Sequence, residues 1–311
     1  MTGAAGFIGS NLVRALLERG GTVRAIDSLA TGRRSNLVDV EQQIEFIEAD
    51  LRDPQAVSRA MEGVEVVFHQ AALPSVARSV ADPLASHEVN ATGTLRLLQA
   101  ARQSGVRRFV YASSSSVYGD TPALPKREDL ATNPLSPYAV SKLAGEHYCR
   151  VFTRLFGLET VSLRYFNVFG PRQDPTSEYA AVVPKFIAAM SRGEAPEIHG
   201  DGTQSRDFTY VANVVDANLR AADAPGVGGE VLNVACGRRA SLLDLVATLN
   251  DILGTTIEAR FGEPRPGDVK HSLADISRAR SLLAYEPRVQ LEEGLARAVA
   301  WYREQNAEAV R

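Results

Sequence analysis

The feature that most constrains the fold of this chain is an alternation of short β-rich runs with longer helical patterns in its first half. The runs with strand composition are residues 23–26, 44–47, 64–68, 109–112 and 160–163, and the helical patterns lie near residues 8–19, 54–61, 90–104 and 138–156. Strands that alternate with helices predict βαβ units and a parallel sheet. Ligands bind such sheets at the carboxyl ends of the strands, so the residues that follow each strand are the candidates for function.

The second half is less regular, and glycine and proline interrupt it repeatedly. Its helical patterns lie near residues 179–192, 241–253, 275–284 and 291–304, and residues 231–234 have strand composition. We therefore predict a nucleotide-binding domain over residues 1–166 and a mainly substrate-binding domain over residues 167–311. A segment near residues 207–234 is expected to return to the sheet.

Composition excludes several classes of partner. The 311 residues are 45% hydrophobic with a net charge of −3, which is typical of a globular protein without the basic face that binds nucleic acid. No apolar stretch reaches the roughly 18 residues of a membrane helix, so no membrane partner is expected. Cys149 and Cys236 do not form a disulfide framework. With no leader pattern, they indicate a cytoplasmic protein, and no metal site is predicted.

The start of the chain is unusual for a dinucleotide-binding fold. Such a fold opens with a strand of about five or six residues before its glycine turn, whereas only Met1 and Thr2 precede Gly3. The first strand is therefore largely missing from the sequence, and we expect the natural protein to begin several residues upstream.

A glycine-rich turn, G-x-x-G-x-x-G, opens the first helical pattern at Gly3, Gly6 and Gly9. Glycines permit a tight turn and the close approach of a pyrophosphate to the helix N-terminus. Asp27 follows the next strand, where an acid accepts hydrogen bonds from an adenosine ribose and repels the 2′-phosphate of NADP. The pattern favours NAD, and the neighbouring Arg33 and Arg34 are interpreted as solvated loop residues.

The strongest local signal is Tyr138-x-x-x-Lys142, preceded by Ser136 and Pro137. Serine is a good N-cap and proline suits the first helical position, so Tyr138 and Lys142 are expected one turn apart on one helix face. A nearby ammonium stabilises a phenolate, which allows a tyrosine to act as a base near neutral pH. The serine run 113–116 ends another strand and brings hydroxyls to the same edge.

Taken together, these motifs resemble a known family. They are the glycine turn, ASSSSVYG at 112–119, the Tyr138/Lys142 pair, LRYFNVFG at 163–170, SRDF at 205–208 and RPGD at 265–268. The chain resembles an extended short-chain dehydrogenase/reductase, within it the NAD-dependent UDP-sugar 4-epimerases, and most closely the UDP-N-acetylglucosamine 4-epimerases. The resemblance implies an α/β fold with a Rossmann-type doubly wound parallel sheet and a smaller mixed α/β substrate domain. It also implies a homodimer that pairs helices 90–104 and 138–156.

The resemblance assigns roles to particular residues. Tyr138 matches the catalytic base, Lys142 the lysine that lowers its pKa, and Ser114 the hydroxyl that bonds the sugar O4, with Ser115 assisting. The implied cofactor contacts are Gly3, Gly6, Phe7, Ile8, Asp27, Ser28, Thr31, Gly32, Asp50, Leu51, Gln70, Ala71, Ala72, Asn90, Tyr138, Lys142 and Tyr165. The implied substrate contacts are Ser75, Ser114, Asn167, Gln173, Val183, Arg206, Arg265, Asp268 and Ser272.

Differences between this chain and related enzymes narrow the choice of reaction and of sugar substrate. Related dehydratases and decarboxylases carry acids where this chain has Ser115 and Ser116, so plain epimerisation is expected. Ser272 matches a gate beside the 2-substituent of the sugar, and its small size leaves room for an N-acetyl group, to which Gln173 could offer its amide. UDP-glucose and UDP-glucuronate stay open as substrates. An enzyme that stops at the keto sugar and a non-catalytic NAD-sensing protein are also compatible with these residues.

Overall fold

A computed structural model describes residues 1–177, 180–263 and 270–309, with side chains described up to residue 305. Its helices are α1 Phe7–Glu18, α2 Pro54–Met61, α3 Val76–Ala81, α4 Pro83–His87, α5 Gly93–Gln103, α6 Pro137–Phe156, α7 Val182–Ser191, α8 Val211–Asp223, α9 Leu242–Leu253, α10 Ser277–Leu283 and α11 Leu291–Ala309. Its strands are β1 Val23–Asp27, β2 Ile44–Glu48, β3 Val66–His69, β4 Arg108–Ser114, β5 Glu159–Tyr165, β6 Val168–Phe169, β7 Glu197–His199, β8 Ser205–Arg206, β9 Thr209–Tyr210, β10 Glu230–Val234, β11 Ala240–Ser241 and β12 Arg260–Gly262.

The central sheet is parallel and follows the order β2, β1, Thr2, β3, β4, β5, β10. Thr2 occupies the position of the short first strand and bridges its two neighbours. Its N–H donates to the carbonyl of Phe68 at 3.0 Å, and the N–H of Ile26 donates to the carbonyl of Met1 at 2.8 Å. The predicted α/β architecture with a parallel sheet is confirmed, and the backbone of residues 1–3 joins the two halves of that sheet.

Helices cover both faces of the sheet because its central strands are apolar on both sides. Along β4, Phe109 and Tyr111 enter one core cluster, whereas Val110 and Ala112 enter another, as the period of two in a strand requires. The first cluster includes apolar residues of α2, α5 and α6, and the second includes those of α1 and α8. Since α8 and β10 come from the second half of the chain, that half contributes to the sheet and to one of its covering layers.

The region that follows β5 is built from short strand pairs and helices. Strand β6 pairs with β9, β7 with β12, and β8 with β11. Helices α7, α9 and α11 pack on one another beside them. These short pairs bring Arg206 on β8 and the segment around Ser272 to the same place, since the N–H of Ser272 donates to the carbonyl of Ser205 at 2.9 Å.

Two features of the helical layer differ from the sequence expectations. Helices α3 and α4 were not predicted; Asp82 ends the first and caps the second by accepting the N–H of Ala85 at 2.9 Å. The pattern near 90–104 begins as a π-helical turn over Glu88–Thr92 before α5. No helix in the described part of the chain is long and apolar enough to cross a bilayer.

Candidate active site

The glycine turn lies directly against the end of β3. Gly3 has a φ of +65°, and a Cβ there would lie 2.6 Å from the backbone nitrogen of Ala71. A Cβ on Gly9 would lie 1.9 Å from the carbonyl oxygen of Gly3, so both positions require glycine. Gly6 caps α1 without a side-chain hydrogen bond from any described residue, which leaves backbone N–H groups at the helix start for a ligand. This arrangement fits the pyrophosphate of a dinucleotide.

Asp27 ends β1 beside this turn and is 9% exposed. Its Oδ2 accepts the N–H of Ala5 at 2.9 Å, and its Oδ1 accepts the N–H of Leu29 at 2.8 Å. Burial raises the pKa of Asp27, while these backbone hydrogen bonds oppose the rise. The remaining lone pairs of an ionised carboxylate fit the hydroxyls of a ribose and disfavour a phosphate.

The two arginines after Asp27 are engaged with carboxylates. Arg33 forms an ion pair with Asp174, and Arg34 forms one with Glu41. The first pair connects the loop after β1 with the loop after β6, which come from the two different halves of the chain. Because both guanidinium groups already have acidic partners, a 2′-phosphate in this loop would have to compete with carboxylates for them.

The other implied cofactor residues lie along the carboxyl edge of the sheet and on α1. Phe7 and Ile8 begin α1, Ser28, Thr31 and Gly32 follow β1, Asp50 and Leu51 follow β2, Gln70, Ala71 and Ala72 follow β3, and Tyr165 ends β5. Asp50 accepts hydrogen bonds from Arg52, which lower the pKa of its carboxyl group. The amide of Gln70 donates to the hydroxyl of Tyr165 at 3.1 Å.

Asn90 acts on the loop after β3 through two hydrogen bonds. Its Oδ1 accepts the N–H of Leu73 at 2.7 Å, and its Nδ2 donates to the carbonyl of Leu73 at 3.1 Å. Its amide therefore fixes the backbone that follows Ala71 and Ala72. We propose that it shapes this wall of the cofactor cleft.

Tyr138 and Lys142 lie on the first turns of α6. The Ser136 hydroxyl caps the helix by accepting the N–H of Ala139 at 3.2 Å, and Pro137 occupies its first position. The Nζ of Lys142 donates to the carbonyl of Ala112 at 2.8 Å and lies 6.0 Å from the Tyr138 ring centroid. The helix therefore presents both side chains to the end of β4.

Burial perturbs both of these groups. It lowers the pKa of Lys142 to about 8, although the nearby carboxylate of Glu146 favours its charged form. Burial raises the pKa of Tyr138, and an interaction with the side chain of Ser114 acts in the opposite direction. Ser114 itself caps the short helical turn after β4, since its Oγ accepts the N–H of Ser116 at 3.2 Å, and Ser115 begins that turn. Tyr138, Lys142 and Ser114 thus lie together at one strand end.

The implied substrate residues that the structure describes come from several loops. Asn167 has a φ of +35°, and its amide donates to the carbonyl of Asp207 at 3.3 Å. Arg206 donates to the carbonyls of Ser205 and Lys270. Ser75 caps α3 with a φ of +95°, and Val183 is buried on α7. Arg265 and Asp268 lie outside the described residues.

The two polar atoms of the Gln173 side-chain amide differ in their hydrogen bonding. Its Nε2 donates to the carbonyl of Val168 at 3.2 Å, and its own backbone carbonyl accepts the hydroxyl of Tyr302. Its side-chain Oε1 is buried without a hydrogen-bond partner among the residues that the structure describes. An acceptor in this state can take one further N–H donor.

Asp207 was given no role by the sequence, although it lies inside the SRDF motif. It is fully buried, and its carboxylate accepts N–H groups of Cys236 at 2.9 Å, Gly237 at 3.0 Å and Ala274 at 3.2 Å. Burial raises its pKa to about 6, against the effect of these hydrogen bonds. The residue joins the segments around Arg206 and Ser272, a function that depends on contacts distant in sequence.

The family is established by comparison with known proteins. Residues 1–235 match the model of the family described as "NAD dependent epimerase/dehydratase family". The chain belongs to this family. A curated relative, a UDP-glucose 4-epimerase of Mycolicibacterium smegmatis, is 44% identical over 97% of each chain.

Solved structures extend the match to the whole architecture. A UDP-N-acetylglucosamine 4-epimerase from Methanobrevibacter ruminantium, in complex with UDP-N-acetylmuramic acid, is 41% identical with a TM-score of 0.93 and covers 98% of this chain and 97% of its own. A Thermus thermophilus UDP-glucose 4-epimerase complexed with NAD is 38% identical with a TM-score of 0.89 and covers 97% of each chain. These comparisons confirm the expected class, NAD-dependent UDP-sugar 4-epimerases, and NAD as its cofactor. Within the described residues, no cluster of three His, Cys, Asp or Glu side chains is arranged to hold a metal ion.

Proposed function

We propose that this protein inverts C4 of a UDP-sugar through a transient 4-keto sugar, with the UDP-N-acetylglucosamine/UDP-N-acetylgalactosamine pair as its preferred substrates. UDP-glucose and UDP-galactose are expected to be accepted as well. The observation that carries the proposal is the convergence of Tyr138, Lys142 and Ser114 at the end of β4, on the edge of the sheet that also holds the glycine turn.

Each of these side chains has a part in the reaction. Bound NAD supplies a reversible hydride acceptor for C4. The Tyr138 phenolate removes the proton of O4 and later returns it, while the Lys142 ammonium stabilises the phenolate. Ser114 holds O4 by a hydrogen bond. After the first transfer the keto sugar would turn about its diphosphate and present its other face, and the hydride would then return to C4 from that face, so no net oxidation would occur.

The preference for the N-acetylated sugar rests on two residues. Ser272 is small and lies beside Arg206 through the backbone contact with Ser205, which leaves room for a 2-acetamido group if the diphosphate is held by Arg206. The Oε1 of Gln173, which is buried without a hydrogen-bond partner among the described residues, is the acceptor that we propose for the N–H of that group. A pocket that is large enough for an acetamido group still admits UDP-glucose. The apolar contact of the missing group costs only roughly 1–3 kcal/mol of binding free energy. A preference for UDP-glucose or for UDP-glucuronate is the competing assignment.

Nuclear magnetic resonance of the purified protein with each candidate sugar nucleotide tests the proposal. Separate incubations with UDP-N-acetylglucosamine, UDP-glucose and UDP-glucuronate are expected to give the 4-epimer fastest with the first, and Tyr138→Phe is the matched control. Turnover of UDP-glucuronate alone would contradict the proposed sugar. Release of NADH in proportion to enzyme would indicate a reaction that stops at the keto sugar, and no turnover with bound NAD would indicate a sensor.

We also propose the homodimer that the resemblance implies, formed through α5 and α6, with α3 and α4 extending the surface beside α6. Apolar side chains on the outer surface of α6 are exposed, namely Val140, Tyr148, Val151, Leu155 and Phe156. Helices α3 and α4 pack against α6 and add exposed Val76, Val80 and Leu84. An apolar face that spans several helices is typical of an interface, and a second copy would bury it. The cytoplasm remains the expected location.

A further inference from the structure

A buried ion pair lies one helical turn beyond Lys142. Both carboxylate oxygens of Glu146 accept hydrogen bonds from Arg164, at 2.9 and 2.8 Å, and the two side chains are 4% and 5% exposed. The hydroxyl of Ser113 also donates to Glu146. Burying two charges is costly unless their geometry is good and further hydrogen bonds satisfy them. A pair in this position therefore needs an explanation beyond stability.

Glu146 of this ion pair makes one of three contacts that connect the end of β4 with successive turns of α6. Three consecutive residues at the end of β4 each meet a different turn of the helix: the Ala112 carbonyl accepts Lys142, Ser113 donates to Glu146, and Ser114 interacts with Tyr138. The catalytic hydroxyl on the strand and the catalytic side chains on the helix are thus placed by the same set of contacts.

Close packing leaves the helix little freedom to move in this set. A Cβ on Gly145 would lie 2.2 Å from the hydroxyl of Tyr111 on β4, so helix and strand approach as closely as glycine allows. On the other side of the pair, Arg164 stacks over the Tyr118 ring at 4.6 Å, and the Tyr118 hydroxyl donates to Asn233 on β10 at 2.7 Å. If the Glu146 contacts were lost, α6 would be freed on the side of the ion pair, while the close contact between Gly145 and Tyr111 would remain.

We propose that Glu146 is a positioning residue for epimerisation, which holds Tyr138 and Lys142 in register with Ser114 and favours the ammonium form of Lys142. This inference rests on the proposed function of the site. Arg164 forms the ion pair with the carboxylate of Glu146.

The groups that face Lys142 support the electrostatic part of this role. Tyr138, Glu146 and Cys149 face it from α6, Tyr111 from β4 and His69 from β3. Burial raises the pKa of Cys149 to about 12 and that of Tyr111 well above its usual value, and it lowers the pKa of His69 to about 3, so these three are neutral near pH 7. The carboxylate of Glu146, paired with Arg164, is therefore the group that favours the proton on Lys142.

Three variants separate positioning from a purely structural role: Glu146→Gln, Arg164→Met and the double variant. Glu146→Gln keeps the shape and an acceptor for Ser113 but loses the charge. We expect its kcat to fall on the order of tenfold or more with KM little changed, and the alkaline limb of its pH profile to move about one unit lower, because Lys142 loses its proton earlier. The double variant removes both buried charges and is expected to regain thermal stability, while the shifted pH profile persists.

The outcome that overturns the inference is specific. A Glu146→Gln profile that superimposes on the wild type, or a double variant that regains kcat together with stability, would assign the pair a structural role alone. Titration of the phenolate by ultraviolet difference absorbance, with Tyr138→Phe subtracted in each background, reports the ionisation of Tyr138 without turnover, and earlier loss of the Lys142 charge is expected to raise its midpoint in Glu146→Gln. That readout tests Glu146 even if the proposed sugar chemistry fails, since wild-type turnover is measured separately.

Discussion

The carboxylate of Asp27 accepts the backbone N–H of Ala5 at 2.9 Å, so the acid at the end of β1 and the glycine turn are joined directly. A Cβ on Gly32 would lie 2.9 Å from Oδ1 of the same carboxylate, which shows how closely the following loop packs on it. The residue that we expect to select NAD is therefore also part of the structure that holds the turn in place.

Replacement of Asp27 by alanine is expected to weaken NAD binding and to relieve part of the exclusion of NADP. Both the ribose acceptor and the hydrogen bond to Ala5 are lost, whereas Arg33 and Arg34 stay with their acidic partners, so NADP gains little. Titration of protein stripped of cofactor with NAD and NADP measures both effects. Wild-type protein that purifies with NADP would contradict this interpretation of the loop.

Tyr138→Phe removes the proposed base and keeps the ring. Since general bases typically contribute about 10²–10⁴-fold, we expect turnover to fall by at least that range. Bound NAD, measured by absorbance after release, and UDP affinity, measured by calorimetry, are expected to change little. Near-normal turnover would disprove the assignment of Tyr138.

Ser272→Tyr places a ring where we propose the 2-substituent of the sugar. Overpacking of this kind costs about 1–3 kcal/mol, so kcat/KM for UDP-N-acetylglucosamine is expected to fall roughly tenfold to a hundredfold. UDP-glucose should be affected far less, because the two sugars differ only at that carbon, and Ser272→Ala serves as the matched control. An equal fall for both sugars would mean that Ser272 is not at the gate.

Leu155→Glu tests the proposed dimer. Leu155 is 67% exposed on α6, and a carboxylate there would be desolvated by a second copy. We expect light scattering to report a dimer for the wild type and a monomer for the variant. Val38, which is 70% exposed and lies outside this face, provides the control Val38→Glu. A wild-type monomer, or dissociation by both variants, would contradict the interface.

His69 is expected to make the fold sensitive to acid. Its Nδ1 lies 2.7 Å from the Thr2 hydroxyl and its Nε2 lies 2.8 Å from that of Thr94, and burial lowers its pKa from 6.5 to about 3. Below pH 6.5 the His69 side chain binds a proton in the unfolded chain but stays neutral in the folded one. The free energy of unfolding therefore falls as the pH falls towards 3. The free energy of unfolding should decrease by about 2 kcal/mol between pH 6.5 and about pH 5.

Urea denaturation across this pH range measures that loss. His69→Gln cannot titrate and is expected to show a correspondingly smaller decrease over the same interval. Equal decreases for the two proteins would show that other groups cause the acid sensitivity.

Much of this architecture can be derived from local sequence. Alternating strand and helix patterns predict the parallel sheet because burial on both faces demands continuous apolar runs such as that of β4. Ser136 and Pro137 predict the start of α6, and with it the common face of Tyr138 and Lys142, because capping and helical spacing are local properties. The glycine turn followed by Asp27 predicts the cofactor edge in the same way.

Only the tertiary structure decides how distant segments meet. Thr2 connects the two halves of the sheet through partners in β1 and β3. Arg33 forms an ion pair with Asp174, a residue far away in the sequence. Glu146 binds both Ser113 and Arg164. The local sequence does not distinguish these residues from ordinary loop or helix positions. A buried charge differs from a solvated one only in its surroundings, and distant segments supply those surroundings. Local propensity fixes which residues share a turn or a strand, whereas packing and desolvation fix which charges lie beside the side chains that we propose to be catalytic.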